Sequence, residues 1–156
     1  MFRQTLRKNP MIQSPLQLEQ HFFTRIELQA HPEADPETQA QFETHVVCAR
    51  HEDDPRRWMI TLTAFTADDE ESVSPYTGEI EIIGMFKVND DYPEEKMAKM
   101  AHINGAALLY GSVRELLANL TARGPFPQVM LPTATFIDEC SSEGKKADDG
   151  PDNRQE

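Results

Sequence analysis

Between Phe22 and Ala30 apolar and polar residues alternate, with Phe22, Thr24, Ile26, Leu28 and Ala30 on one parity and Arg25, Glu27 and Gln29 on the other. A period of two marks a strand with one face covered. The same period returns over Phe42–His51, where Phe42, Thr44, Val46 and Cys48 share a face and Val46-Val47 adds β-branched bulk. In Trp58–Phe65, Trp58, Ile60, Leu62 and Ala64 line one side, and Met59, Thr61, Thr63 and Phe65 the other. Glu79–Val88 begins as Glu-Ile-Glu-Ile and turns apolar on both faces at Ile82-Ile83 and Met85-Phe86, as a strand covered on both sides would. Three polar stretches separate these runs. His31–Gln41 carries Pro32 and Pro36, Glu52-Asp53-Asp54-Pro55 suits a hairpin turn, and Asp68–Glu71 is an unbroken acidic run that requires solvent.

The period changes after Tyr92-Pro93. Pro93 followed by Glu94 and Glu95 suits a helix start, because proline is tolerated in the first turn and acids favour the positive end of the helix dipole. A short helical segment is expected from there towards Met100. A long helix follows, since Ile103, Ala106, Tyr110, Val113, Leu117 and Leu120 recur at helical spacing beside Leu109 and Leu116. Arg123 closes it, with Gly124 at the C′ position and Pro125 preventing continuation. Phe126–Phe136, with Pro125, Pro127 and Pro132, is an extended apolar crossover. Strands followed by a helix predict an α+β fold, a four-stranded antiparallel sheet with the long helix packed on one face. A meander is the simplest strand order. The domain is expected over residues 16–136, between a flexible arm (1–15) and a disordered acidic tail (137–156).

Composition narrows the function. A length of 156 residues suits one domain, and a net charge of −12 repels nucleic-acid backbones and anionic membranes. No apolar run reaches the length of a membrane span. Arg3, Arg7 and Lys8 near the N-terminus are followed by no apolar stretch of a secretory signal, so a cytoplasmic location is expected. Cys48 and Cys140 belong to no metal-binding or redox spacing, and the histidines (21, 31, 45, 51 and 102) fall in five separate places. The carboxylates cluster in solvated turns, where nothing moves their pKa into a catalytic range. No nucleophile elbow or phosphate loop occurs. The chain therefore reads as a non-enzyme without cofactor or metal. Its aromatics and methionines, among them Phe22, Trp58, Met59, Phe65, Met85, Phe86, Phe126 and Met130, exceed what one sheet face must bury. Such residues make adaptable contact surface.

The run Leu108-Leu109-Tyr110-Gly111-Ser112-Val113-Arg114-Glu115, followed by Arg123-Gly124-Pro125-Phe126-Pro127, Leu131-Pro132 and Phe136, resembles the SecB protein-export chaperone family in order and spacing. The resemblance departs at Gly111-Ser112, where the family has Pro-Tyr, and after Phe136, where the family continues into a second amphipathic helix. It implies a dimer of dimers that holds unfolded polypeptides in apolar grooves without ATP, with the export ATPase as a further partner. The residues expected to meet client are Trp58, Ile60, Met85, Phe126, Pro127, Met130 and Leu131. Two other readings stand beside this one. A SecB-like chaperone could be dedicated to another client such as an antitoxin. A hot-dog-like acyl-thioester enzyme would use Glu94 as its acid, although that fold places its helix earlier in the strand order.

Overall fold

The inward rows of the strands determine how the chain assembles. A computed structural model describes residues 10–66 and 74–137. Most of the expected arm, the acidic run Asp68–Glu71, Cys140 and nearly all of the expected tail lie outside the described residues. The elements are β1 (Leu16–Ala30), β2 (Phe42–Arg50), β3 (Arg57–Thr66), β4 (Tyr76–Val88) and one helix, α1 (Glu94–Thr121). On β3, Trp58, Ile60, Leu62 and Ala64 face α1; on β4, Ile80, Ile82, Phe86 and Val88 join them in a single buried layer. From the helix, Met97, Ala101, Gly105, Leu109, Val113, Leu117 and Thr121 complete that layer, an i, i+4 row along α1. Removing these side chains from water is the main driving force for the fold.

The sheet is antiparallel, as the polarity pattern predicts, but it is not a meander. Its order is β1-β4-β3-β2, so β1 pairs with β4 rather than with β2. The physical reason is the length of the first link. His31–Gln41 is too long and proline-rich for a tight hairpin, and β1 offers β4 a partner of matching length. The base of that link is held at β4, where the His31 amide donates to the Pro75 carbonyl at 3.0 Å and its ring meets the Thr77 hydroxyl at 2.6 Å.

Two register shifts, between Leu18 and Gln20 and between Phe23 and Arg25, also change the faces of β1. Phe22, expected on the covered parity, pairs with Ile83 and is exposed, while Phe23 packs on the core. A bulge adds one residue to one strand and reverses parity beyond it.

The helix is continuous where two segments were expected. No breaker separates Glu94 from Met100, and Met97, Met100 and Ala101 carry the buried row through the supposed gap. Its start is fixed by Arg56, whose guanidinium donates to the carbonyls of Asn89 (2.6 Å) and Tyr92 (3.1 Å), and by the Arg50–Glu94 ion pair at 2.8 Å.

Two glycines mark close approaches within the sheet and between helix and sheet. A Cβ at Gly78 would strike the Glu27 carbonyl across the β1–β4 pair, and one at Gly105 would strike the side chain of Ile60, which is completely buried. Gly111 has nothing near its missing Cβ. Gly78→Ala and Gly105→Val should each lower unfolding free energy by about 1–3 kcal/mol through overpacking. Gly111→Ala should raise that of the isolated protomer by about 1 kcal/mol through helix propensity. Urea denaturation of the three variants, compared at equal m-value, checks the order.

Candidate functional site

Extended backbone rich in proline cannot satisfy itself, so the crossover after α1 must find its partners elsewhere. The C-terminal half of the helix supplies them. The Tyr110 hydroxyl donates to the Pro132 carbonyl at 2.5 Å, and Arg114 Nε donates to the Leu131 carbonyl at 2.8 Å. The Val129 amide donates to Thr121 Oγ1 at 2.9 Å, and Gln128 Nε2 donates to the Ala118 carbonyl at 3.0 Å. The crossover thus runs back along the helix, antiparallel to it. Leu131 and Phe136 point into the core, and Phe136 meets Tyr110 edge-to-face at 5.7 Å.

At the near end, the Phe126 amide donates to the Tyr76 hydroxyl at 3.4 Å, and the two rings lie edge-to-face at 5.7 Å and 86°. Tyr76 opens β4, so the turn after the helix is fastened to the sheet. Between this turn and the β1–β2 link lies a cleft of about 290 Å³. Its walls include Thr38 and Gln39 on one side, Phe126, Pro127 and Met130 on the other, and Tyr76 beneath. Apolar Pro36, Phe126, Pro127 and Met130 share the lining with Glu37, Thr38, Gln39 and Gln128, and Glu33 and Asp35 are exposed on the same link. This mixed, acidic-sided cleft suits an extended peptide with apolar side chains and basic flanks.

The seven residues expected to meet client do not form one site. Phe126, Pro127 and Met130 come together in the cleft, with Met130 57% exposed. Trp58 (8% exposed), Ile60 (0%) and Leu131 (4%) belong to the core under α1 and the crossover. Their parity turns them inward, and aromatic abundance in a sequence does not separate core residues from surface ones. Met85 (39% exposed) stands on the opposite, uncovered face of the sheet. There the β1-to-β2 rows Phe22-Ile83-Thr61-Val47 and Gln20-Met85-Met59-Ala49 make an apolar band. Glu27, Glu79 and Glu81 flank it, with Arg25 paired to Glu79 at 3.4 Å.

Tyr76 and the Thr38–Ala40 stretch were not singled out from the sequence, although Pro75-Tyr76 at the head of a strand was the available signal. Glu94, the acid of the acyl-thioester reading, is exposed and committed to Arg50. Among the described residues no group of three or more His, Cys, Asp or Glu side chains could hold a metal. No described helix is long and apolar enough to cross a membrane.

Comparison with known proteins bears on the whole described body. The model of the SecB family, preprotein translocase subunit SecB, matches residues 16–139. An uncharacterised protein of Methanocaldococcus jannaschii is 28% identical over 103 residues, covering 65% of each chain. The protein-export protein SecB of Alcanivorax borkumensis is 34% identical over 77 residues, 49% of this chain and 48% of the relative. The chain thus spans less than two thirds of the length of either relative. Among solved structures, a Mycobacterium tuberculosis SecB-like chaperone in complex with a peptide from the HigA1 antitoxin superposes with a TM-score of 0.55 at 20% identity. That match covers 76% of this chain and 90% of the other, and it shows the shared fold.

The crossover clamp has a pH signature. Burial pushes the Tyr110 hydroxyl above its usual value of 10.0, and the Arg114 guanidinium offsets part of that. A group held protonated in the folded state stabilises fully below its unfolded pKa, and that contribution is lost as pH rises through the folded one. Stability of the native protein relative to Tyr110→Phe should therefore fall as pH climbs from 9 past the raised folded value. Denaturant unfolding of both proteins across that window, with absorbance titration of the tyrosines, tests the assignment.

Proposed function

The chain belongs to the SecB family, and on that premise we propose that it is a non-enzymatic chaperone subunit that holds unfolded or precursor polypeptides without ATP. The single observation carrying this reading is the cleft of Phe126, Pro127 and Met130 against the β1–β2 link. Apolar walls on a pinned extended segment stay open to solvent there instead of closing into the core. A holdase needs apolar surface that adapts to many sequences, with charge around it to prevent self-association. Acidic residues on the loop rim and beside the outer sheet face meet the second requirement. The band around Met59 and Met85 offers a further stretch of contact for a long client. Delivery to the export ATPase is the proposed use of the bound state, in a cytoplasmic setting.

Assembly into a dimer of dimers is part of the same proposal. Support comes from the open edge of β1, fifteen residues long, and from the outward face of α1, where Ala107, Leu108 and Gly111 are exposed together. An uncovered edge strand and a small-residue helix face are surfaces that proteins usually cover. A chaperone dedicated to one client, such as an antitoxin, fits the same cleft. The fold shared with a SecB-like chaperone bound to an antitoxin peptide favours keeping that reading. Retention of several unrelated denatured proteins supports the general holdase, and retention of one alone supports the dedicated form.

In the absence of ATP, Phe126→Ala combined with Met130→Ser should weaken binding of a chemically denatured protein by about tenfold, or ~1.4 kcal/mol. The solution mass should remain that of four copies. Unchanged affinity in a tetrameric double variant would remove the cleft from the mechanism. Leu108→Glu should leave the cleft intact and shift the mass, measured by sedimentation, towards smaller assemblies.

A further inference from the structure

Towards its start, the stripe of α1 that holds the crossover continues as an open groove. Ile103 lies one heptad before Tyr110 and Lys96 one heptad before Ile103, so the three share a face within a drift of about 20° per heptad. Tyr92, Lys96, Lys99, Met100 and Ile103 line the groove, whose volume is about 480 Å³. Met100 is buried, Tyr92 and Ile103 are half-buried, and both lysines are exposed.

The charge of this groove differs from that of the chain around it. Lys96 and Lys99 are the two lysines of α1, and among the described residues neither has an acid within ion-pair distance. Glu95 also lines the groove, while Glu94 is committed to Arg50. The lining thus carries two positive charges against one negative, in a chain whose net charge is −12. A positive, partly apolar groove suits an acidic segment with an apolar anchor.

The chain brings such a segment to the place. The crossover travels antiparallel to α1, from Val129 at Thr121, through Leu131 at Arg114, to Phe136 against the Tyr110 ring. Ile137, the next residue, is 54% exposed. The sequence then reads Asp138-Glu139-Cys140-Ser141-Ser142-Glu143, three acids before the first base at Lys145. From Tyr110 to Lys96 the helix rises roughly 21 Å. Residues 137–143, if extended, reach about 23 Å at ~3.3 Å each. Length, direction and charge therefore agree.

We propose that Asp138–Glu143 docks in this groove as an acidic strap, with Asp138 and Glu139 meeting Lys99 and Glu143 meeting Lys96. Ile137 and Cys140 supply the apolar contacts to Ile103 and Met100. A separate acidic peptide meets the same chemistry but must arrive from solution. The tethered segment begins one heptad away, at an effective concentration on the order of millimolar. The groove is separate from the cleft of Phe126 and Met130, so the proposal neither requires nor tests client binding.

Hydrogen exchange of the full chain, followed by mass spectrometry, tests the strap. Amides of residues 139–143 should exchange about tenfold more slowly than in a free peptide of residues 136–146, the scale of two exposed ion pairs and a small apolar contact. Lys96→Glu with Lys99→Glu should remove that protection while the amides of α1 from Gly105 to Leu117 keep theirs. Adding Asp138→Lys, Glu139→Lys and Glu143→Lys to the same chain should restore it. Exchange at the free-peptide rate in the unaltered chain overturns the proposal, as does protection that survives the lysine reversal or is not restored by the exchanged charges. Protection that grows with protein concentration assigns the groove to another copy's segment and equally overturns it.

Discussion

The contact between Gly105 and Ile60 sets the height of α1 over the sheet, and most other features of the molecule depend on that height. Only a residue without a side chain lets the helix backbone rest on the centre of β3, where a Cβ would strike Ile60. With the axis so close, Leu109 reaches Gly84 and Phe86 on β4, and Met97 and Ala101 fill the layer towards the helix start. Close-packed interiors tolerate little change of volume, so a helix held at this distance has few alternative seats. On its β2 side the same distance brings His102 to Cys48 and Glu94 to Arg50. On its other side it positions Tyr110, Arg114 and Thr121 to receive the crossover.

The crossover extends this constraint to the candidate site. Four side-chain hydrogen bonds from the helix and its own Gln128 replace the ladder that an extended segment would have in a sheet. They satisfy backbone groups without covering the segment's outer side, which is why Phe126 and Met130 can face solvent on a chain that is nevertheless fixed. Tyr76 connects this arrangement to the sheet through one ring. Its hydroxyl lies within 3.5 Å of the Thr121 carbonyl and accepts from the Phe126 amide, while its ring meets that of Phe126 edge-to-face. A groove built this way is fixed in advance, so a polypeptide held there, as proposed, would cost less conformational entropy.

Local structure was legible in the sequence wherever it depended on local period. The alternation in Trp58–Phe65 and Glu79–Val88 and the acids after Pro93 correspond to the elements found, whereas the helix ends at Thr121 with Ala122 as its cap, before the expected close at Arg123, and Gly124 is not a left-handed C′ residue. Pairing between distant elements was less legible. The β1–β4 partnership depends on what a long link permits, and the bulges in β1 depend on a neighbour that the strand's own residues do not specify. The same limit explains the dispersal of the seven candidate residues. Trp58 and Ile60 share the parity of Leu62 and Ala64, so their place in the core was implied by the pattern once the helix was known to cover that face. The crossover showed its extended form through Pro125, Pro127 and Pro132, but its cleft needs Tyr76 and the Thr38–Ala40 stretch from the other end of the domain. Cys48 and His102 each looked unpatterned for the same reason, since their proximity is created only by α1 settling onto β2.

A strong acidic balance and an exposed apolar cleft are usually opposed in a soluble protein, and here their arrangement reconciles them. Like charges on the rim make two copies repel at long range, with a reach of about 8 Å at physiological ionic strength. The cleft is therefore shielded from another cleft but open to a chain of opposite or little charge. In the proposed holdase, the apolar walls would supply affinity and the acidic rim would bias selection towards basic, unfolded segments over folded acidic proteins. Selectivity of this kind needs no sequence readout and no chemical step. It requires only that the walls stay apart when empty, which the hydrogen bonds of Tyr110, Arg114, Thr121 and Gln128 provide by holding the crossover against the helix rather than across the cleft.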